Sequence, residues 1–154
     1  MSPQRITWAV VADEAIARLL ERPEDDGELV AVEELTDPQA HTRESAMHHG
    51  PHGRRAGAGS RAGSQATVGA GDSERHRQAQ VFAARIAKRL EEHHVAGRFA
   101  ALHVIAAPRL LGYLRKALEP RLASVVVGTL DKDLVQESNA QLTQRLFAPA
   151  PGRG

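Results

Sequence analysis

Apolar residues in the first third of the chain occur in short runs of strand length. Residues 6–12 (Ile-Thr-Trp-Ala-Val-Val-Ala) form one run, and residues 28–35 form another with a strand-like mixture of apolar and charged positions. Between them, residues 15–21 carry apolar positions that suit either a strand or a helix. A turn-forming cluster at residues 23–27 (Pro-Glu-Asp-Asp-Gly) keeps the connection short. Short connections favour an antiparallel meander of three strands.

The periodicity changes from strand-like to helical after residue 71. Asp72 or Ser73 can cap a helix, and Gly97 suits the position just past its end. Apolar residues in between recur every three to four positions, which is typical of a helix with one buried face. That face consists of Ala79, Phe82, Ala83, Ile86, Ala87 and Leu90.

Two further strands and two further helices follow in alternation. Residues 99–106 and 124–130 are nearly all apolar, which is typical of buried strands. Pro108 occupies the place of a first helical residue, and we expect that helix to stop at Pro120. The polar turn at residues 131–133 (Asp-Lys-Asp) precedes a final helix.

This order of elements predicts an α/β class fold with a mixed five-stranded sheet and helices on its faces. Right-handed crossovers make the later strands parallel, which gives the ribonuclease-H-like three-layer topology. It is a three-strand antiparallel meander followed by helix, strand, helix, strand and helix. We assign residues 1–147 to a single domain, with a disordered loop at about residues 41–71 and a disordered tail at residues 148–154.

Composition excludes several classes of function. The chain has 154 residues and no cysteine, which excludes disulfides, thiolate metal sites and cysteine nucleophiles. No apolar run reaches membrane-spanning length and the opening residues do not form a signal peptide, so we expect a cytoplasmic protein without a membrane partner. The net charge of +1 leaves room only for a local anion site.

The strongest candidate for such a site is the stretch at residues 45–71. It contains no acidic residue, three arginines, three histidines and seven of the chain's 13 glycines. Its own apolar contacts cannot offset the entropy of ordering, so we expect it to act on a partner. Arg54, Arg55 and Arg61, set among glycines, can approach phosphates closely, with backbone amides as further donors. They predict contact with RNA or the ribosome; the alternative is a loop whose arginines only keep it soluble.

The histidines of the same stretch form a candidate metal site. His48, His49 and His52 supply three imidazoles within five residues, and neutral imidazole is a common ligand of zinc, nickel and copper. No acidic residue joins them, however, and Gly50 with Pro51 interrupts any helix that would align them. We therefore expect no metal and no other cofactor.

The ribonuclease-H-like topology requires a test for a metal-dependent nuclease, in which several carboxylates converge on two divalent ions. Asp13 follows the first strand and is one candidate. The fourth strand, however, ends in Ala-Ala-Pro at residues 106–108, and Asp131 and Asp133 resemble turn and cap residues. The sequence therefore does not assemble a nuclease site.

Several stretches of the chain resemble the bacterial host attachment family, also called proteins required for attachment to host cells. Residues 8–13 (Trp-Ala-Val-Val-Ala-Asp) followed by 17–21 resemble the opening of that family. The other matching stretches are 82–83, 106–115 (Ala-Ala-Pro-Arg-Leu-Leu-Gly-Tyr-Leu-Arg) and 130–134 (Leu-Asp-Lys-Asp-Leu). The resemblance covers approximately residues 6–147. The first functional hypothesis is therefore a non-enzymatic binding module of this family that contacts the ribosome or RNA through the basic loop and can form homo-oligomers.

The same family is similar to the middle domain of archaeal and eukaryotic class 1 peptide release factors. In those factors the loop before the long helix carries Gly-Gly-Gln, which enters the peptidyl transferase centre. The resemblance therefore implies an alternative function, hydrolysis of peptidyl-tRNA or a related ester, with Gln65 of Gly63-Ser64-Gln65 as the catalytic candidate. Ser64 departs from that pattern, because serine restricts the backbone to dihedral angles that glycine is free to leave.

Overall fold

The computed structural model describes residues 6–23, 27–37 and 60–147, and at residues 60–70 and 72 it describes the backbone alone. The elements are β1 (Thr7–Ala12), β2 (Ile16–Arg22), β3 (Val30–Thr36), α1 (Ser60–Val95), β4 (Ala101–Ala106), α2 (Pro108–Leu122), β5 (Val126–Leu130) and α3 (Asn139–Phe147). The strands form one sheet in the order β3-β2-β1-β4-β5. The predicted α/β fold with its five-stranded mixed sheet is confirmed.

The strand pairing follows the predicted meander and crossovers. β1 pairs antiparallel with β2, and β2 pairs antiparallel with β3. β1 also pairs parallel with β4, which pairs parallel with β5. Since Ala12 lies opposite Ala106, β1 and β4 end at the same edge of the sheet, where α2 begins.

Both faces of the sheet are covered. Trp8 and Val10 lie on the face that packs against α1 and α2, and Ala9 and Val11 lie on the opposite face with Leu142 of α3. These four residues of β1 are all fully buried. A strand that is buried on both faces reads as a continuous apolar run rather than an alternating one. This explains why the strands at residues 7–12 and 101–106 were visible in the sequence.

Helix α1 is longer than predicted. It begins at Ser60 rather than at Asp72 or Ser73, so residues 60–71 belong to a helix and not to the predicted loop. Once the packed part of a helix exists, each added residue gains one hydrogen bond, and Ala, Arg and Gln are good helix formers. The remainder of the predicted loop, residues 41–59, lies outside the described residues, as does the predicted tail.

The end of α1 agrees with the sequence. Gly97 has a φ of +77°, the left-handed conformation that glycine adopts without strain just past a helix. Its N–H donates to the His94 carbonyl at 2.9 Å, and the Arg98 N–H donates to the His93 carbonyl at 3.0 Å. These two hydrogen bonds satisfy carbonyls of the last turn.

The prediction that helix α2 stops at Pro120 is wrong, because the helix continues to Leu122. Proline removes the hydrogen bond that would reach the Lys116 carbonyl, but both residues are exposed, so water can satisfy that carbonyl. Leu118 and Leu122 are buried and hold the last turn against the sheet. Packing of these leucines therefore outweighs the loss of one backbone hydrogen bond.

A capping box fixes the start of α3. The Gln141 N–H donates to Ser138 Oγ at 3.0 Å, and the Ser138 N–H donates to Gln141 Oε1 at 2.9 Å. Arg18 of β2 holds the preceding segment by donating to the carbonyls of Val135 and Glu137, at 2.9 and 2.8 Å. Helix α3 is thereby fixed across the face of the sheet that α1 and α2 leave open.

Candidate nucleic-acid interface

Most residues of the predicted RNA and metal sites lie outside the described part of the chain. These are Arg54, Arg55, His48, His49 and His52. Their assignment stays a prediction that rests on the sequence alone.

Arg61, predicted to bind RNA, and Gln65, the catalytic candidate, belong to the first turns of α1. The expectation that Gly63, Ser64 and Gln65 form a loop is therefore wrong, because their backbone is helical. A helical backbone directs its N–H groups along the helix axis and does not form the exposed turn that the hydrolase hypothesis requires.

The nuclease candidate Asp13 has a structural role. Its Oδ1 accepts hydrogen bonds from the N–H groups of Ala15 and Ile16, at 2.8 and 2.9 Å, which closes the turn between β1 and β2. Among the side chains that the structure describes, there is no cluster of three or more histidine, aspartate or glutamate residues that could hold a metal ion.

A basic groove lies between α1 and α2, close to the edge where β1 and β4 end. This interhelical groove has a volume of about 410 Å³. Its lining residues are His76 of α1 and Arg109, Gly112, Tyr113 and Lys116 of α2. In open α/β sheets, ligands bind near the carboxyl ends of the parallel strands, which is where α2 starts.

Hydrogen bonding fixes the wall of the interhelical groove. His76 Nδ1 and the Tyr113 hydroxyl share a hydrogen bond of 2.8 Å, with the two rings nearly perpendicular at 78°. Arg109 Nε lies 3.8 Å from Glu14 Oε2. None of the described residues that line the groove is acidic. The groove therefore presents imidazole, phenol, guanidinium and ammonium groups, a set suited to an anion such as a phosphodiester.

A second groove adjoins the first on the other side of α2, next to the edge strand β5. This edge groove has a volume of about 440 Å³ and shares Gly112 and Lys116 with the interhelical groove. Its other lining residues are Val104, Arg115, Leu118, Glu119, Ala123, Val126 and Thr129. Arg115 and Lys116 thus carry positive charge along the rim that joins the two grooves.

As with Lys88 and Arg98, no described residue pairs with the side chains of Arg115 and Lys116. Both are exposed, and within the described part of the chain neither forms a hydrogen bond or an ion pair. In contrast, Arg121 pairs with Glu91, and Arg145 pairs with Glu137. The Arg145 guanidinium lowers the pKa of the Glu137 carboxyl. Arg115 and Lys116 therefore remain available to an external anion.

Another polar cluster joins α1 to the edge strand β3. Glu33 accepts hydrogen bonds from Arg89 Nε at 2.9 and 3.0 Å, and its Oε1 lies 2.9 Å from His93 Nε2. The hydrogen bond from Arg89, reinforced by His93, lowers the pKa of the Glu33 carboxyl despite partial burial. Arg85 adds a hydrogen bond to the Thr36 carbonyl at 2.9 Å. Since these groups satisfy one another, the cluster attaches β3 to α1 and offers no open site.

His103 is a packing residue of β4. Its ring meets the edge of Phe147 at 5.3 Å, and a Cβ placed on Gly128 would lie 3.4 Å from His103 Nδ1. Burial lowers the pKa of His103 below its ordinary value of 6.5.

This burial predicts a pH dependence of stability. As the pH falls below 6.5, the unfolded chain takes up a proton at His103 while the folded chain resists it, so the stability present above that pH is lost. We expect His103→Gln to reduce the drop in urea midpoint between pH 7.5 and pH 5.5. Equal drops in the native protein and His103→Gln would refute the assignment.

The interhelical groove was not anticipated from the sequence, although part of its pattern was visible there. Arg109, Gly112 and Lys116 recur at intervals of three and four, which places them on one face of α2. The sequence does not show that His76 of α1 meets this face at Tyr113.

The described part of the chain contains no helix that is both long and apolar enough to cross a membrane. The chain matches the family described as "Protein required for attachment to host cells" over residues 8–146. No curated protein matches the chain.

Proposed function

Since the chain belongs to the family of proteins required for attachment to host cells, we propose that it is a non-enzymatic module that binds RNA, ribosomal RNA included. The observation that carries this proposal is the basic interhelical groove, where none of the lining residues that the structure describes is acidic. Arg115 and Lys116 continue the positive charge onto the edge groove. A continuous basic surface of this kind fits a chain of phosphates better than it fits a single small anion.

The basic stretch before α1 supports the same ligand. The described chain enters α1 at Ser60, and His76 lines the interhelical groove about 24 Å further along the helix axis. Arg54 and Arg55 lie shortly before that entry in the sequence. These two arginines support RNA as the ligand through the sequence alone, as positive charge close to the start of α1 in the chain.

The resemblance to the middle domain of class 1 release factors makes ribosomal RNA the first ligand to test. No observation in the described part of the chain supports the hydrolase alternative. RNA as the ligand implies a cytoplasmic location and an indirect role in attachment to host cells. Detection of the chain on the outer surface of intact cells would contradict that location.

Neutralising the rim of the two grooves tests the proposal. We expect Arg115→Gln with Lys116→Gln to weaken binding to a labelled single-stranded RNA by roughly 25-fold at 0.1 M salt, since each phosphate contact releases about 0.7 counterion. Fluorescence anisotropy with the purified full chain measures the effect.

The matched control is Lys88→Gln with Arg98→Gln, which removes the same charge. Both residues are exposed, have no hydrogen bond or ion pair from their side chains among the described residues, and line neither groove. The control should retain its affinity within a few-fold, because it loses only diffuse attraction. Equal losses in both variants, or no RNA binding by the native chain, would reject the proposal.

A further inference from the structure

Gly112 lies inside α2, where packing among the described residues does not require a glycine. It is exposed, and a Cβ placed on it would meet no atom within 4 Å. A glycine in a helix interior is less stable than alanine, because the unfolded chain loses more conformational freedom on folding. At Gly128, in contrast, the missing side chain makes room for His103. Packing within the described chain therefore explains Gly128 but not Gly112.

The surroundings of Gly112 indicate what the open space is for. Gly112 lines both the interhelical groove and the edge groove, so it forms the saddle between them. Arg109 precedes it by three positions, and Arg115 and Lys116 follow it by three and four, which places all of them on one side of α2. The helix backbone is thus bare at one point and flanked by positive charge above and below.

We propose that the sugar-phosphate backbone of the bound RNA crosses α2 at Gly112, with Arg109 on one side and Arg115 and Lys116 on the other. This inference rests on the proposed function and adds the path of the strand. The absence of a side chain lets the strand lie close to the helix, with Arg115 and Lys116 one turn away to contact its phosphates. Arg109, one turn away on the other side, shares its charge with Glu14 at 3.8 Å.

The charge of the saddle selects this occupant over an apolar one. The described residues that line the interhelical groove include Arg109 and Lys116 and no acid, with Glu14 lying beside Arg109 at 3.8 Å. Among the described residues that line the edge groove, Arg115 and Lys116 outnumber the one acid, Glu119. A phosphodiester chain complements such a surface and makes contacts that do not depend on base sequence.

Side chains of increasing size at Gly112 test the path. Gly112→Ala should raise the melting temperature by about 2–4 °C, because alanine favours the helix and its Cβ meets no neighbour. It should weaken the binding of labelled single-stranded RNA slightly. Gly112→Gln should keep the fold and weaken binding by roughly tenfold or more, since displacing the strand loses phosphate contacts on both sides.

Ala84→Gln provides the control for bulk on an exposed helix position. Ala84 lies on α1 and lines neither groove, so its variant should bind RNA as the native chain does. Full RNA affinity in both Gly112→Ala and Gly112→Gln would overturn the path; if Arg115→Gln with Lys116→Gln still weakens binding, RNA binding itself stands. Absence of RNA binding in the native chain would overturn both. If Gly112→Gln does not fold, Gly112→Ala decides the matter, because it should be more stable and yet bind less tightly.

Discussion

Replacing Arg54, Arg55 and Arg61 by glutamine is expected to weaken RNA binding by roughly 100-fold at 0.1 M salt. Three phosphate contacts at about 0.7 counterion each account for that factor. No acidic residue lies between positions 45 and 71, so this stretch of the sequence carries a net positive charge that attracts phosphates. Anisotropy titrations of labelled single-stranded RNA, and co-sedimentation of the full chain with ribosomes, measure the loss.

A control with the same change in net charge separates local contact from general attraction. Lys88, Arg98 and Lys132 are exposed and line neither groove, so replacing all three by glutamine should change the affinity only a few-fold. If the arginine variant binds RNA as tightly as this control, the arginines of residues 54–61 do not contact RNA. Gln65→Ala should leave binding unchanged in the same assay.

Replacing Trp8 by alanine is expected to lower the free energy of unfolding by about 3–5 kcal/mol, a large part of the stability of a domain of this size. The Trp8 side chain is fully buried and lies against Phe99 and His93, with ring centroids 4.9 and 4.8 Å away. Its Nε1 also donates to Glu21 Oε1 at 3.0 Å. Truncation leaves a cavity and removes the partner of a carboxylate.

Trp8→Phe separates these two contributions. Phenylalanine retains most of the ring packing and loses the hydrogen bond, so its cost should be nearer 1 kcal/mol. Urea unfolding followed by far-ultraviolet circular dichroism measures both variants, since Trp8 is the only tryptophan and its fluorescence disappears with it. Equal midpoints for the native chain and Trp8→Ala would contradict its place in the core.

The sequence predicted best the elements whose burial is most complete. The strands at residues 7–12 and 101–106 read as apolar runs because α1 and α2 cover one face of the sheet and α3 covers the other. Helix α2 was recognisable from Pro108 at its first position. The local sequence is sufficient to predict these strands and this helix, and the order of the elements predicts the five-stranded fold.

Other boundaries depend on contacts that local sequence does not reveal. Residues 15–21 suited a helix as well as a strand, and pairing with β1 on one side and β3 on the other selects the strand. The first turns of α1 contain glycines and carry no apolar face, so no signal distinguished them from a loop. Pro120 predicts a helix end, but buried Leu122 carries α2 past it.

The basic grooves belong to the same class of features. His76 and Tyr113 are 37 positions apart in the chain and meet only because α1 and α2 pack side by side. Nothing in the local sequence distinguishes Gly112 from other helical glycines, because the open space around its Cα is a property of the tertiary structure. A site assembled from two helices in this way follows from the tertiary structure rather than from any motif.

The salt dependence of RNA binding by the native chain tests the central proposal most directly. The logarithm of the association constant should fall linearly with the logarithm of salt concentration, with a slope of about −3 or steeper. Arg115→Gln with Lys116→Gln should make that slope shallower by about 1.4, because each of the two lost phosphate contacts contributes about 0.7. An affinity that does not change with salt, or no binding at 50 mM salt, would contradict the account.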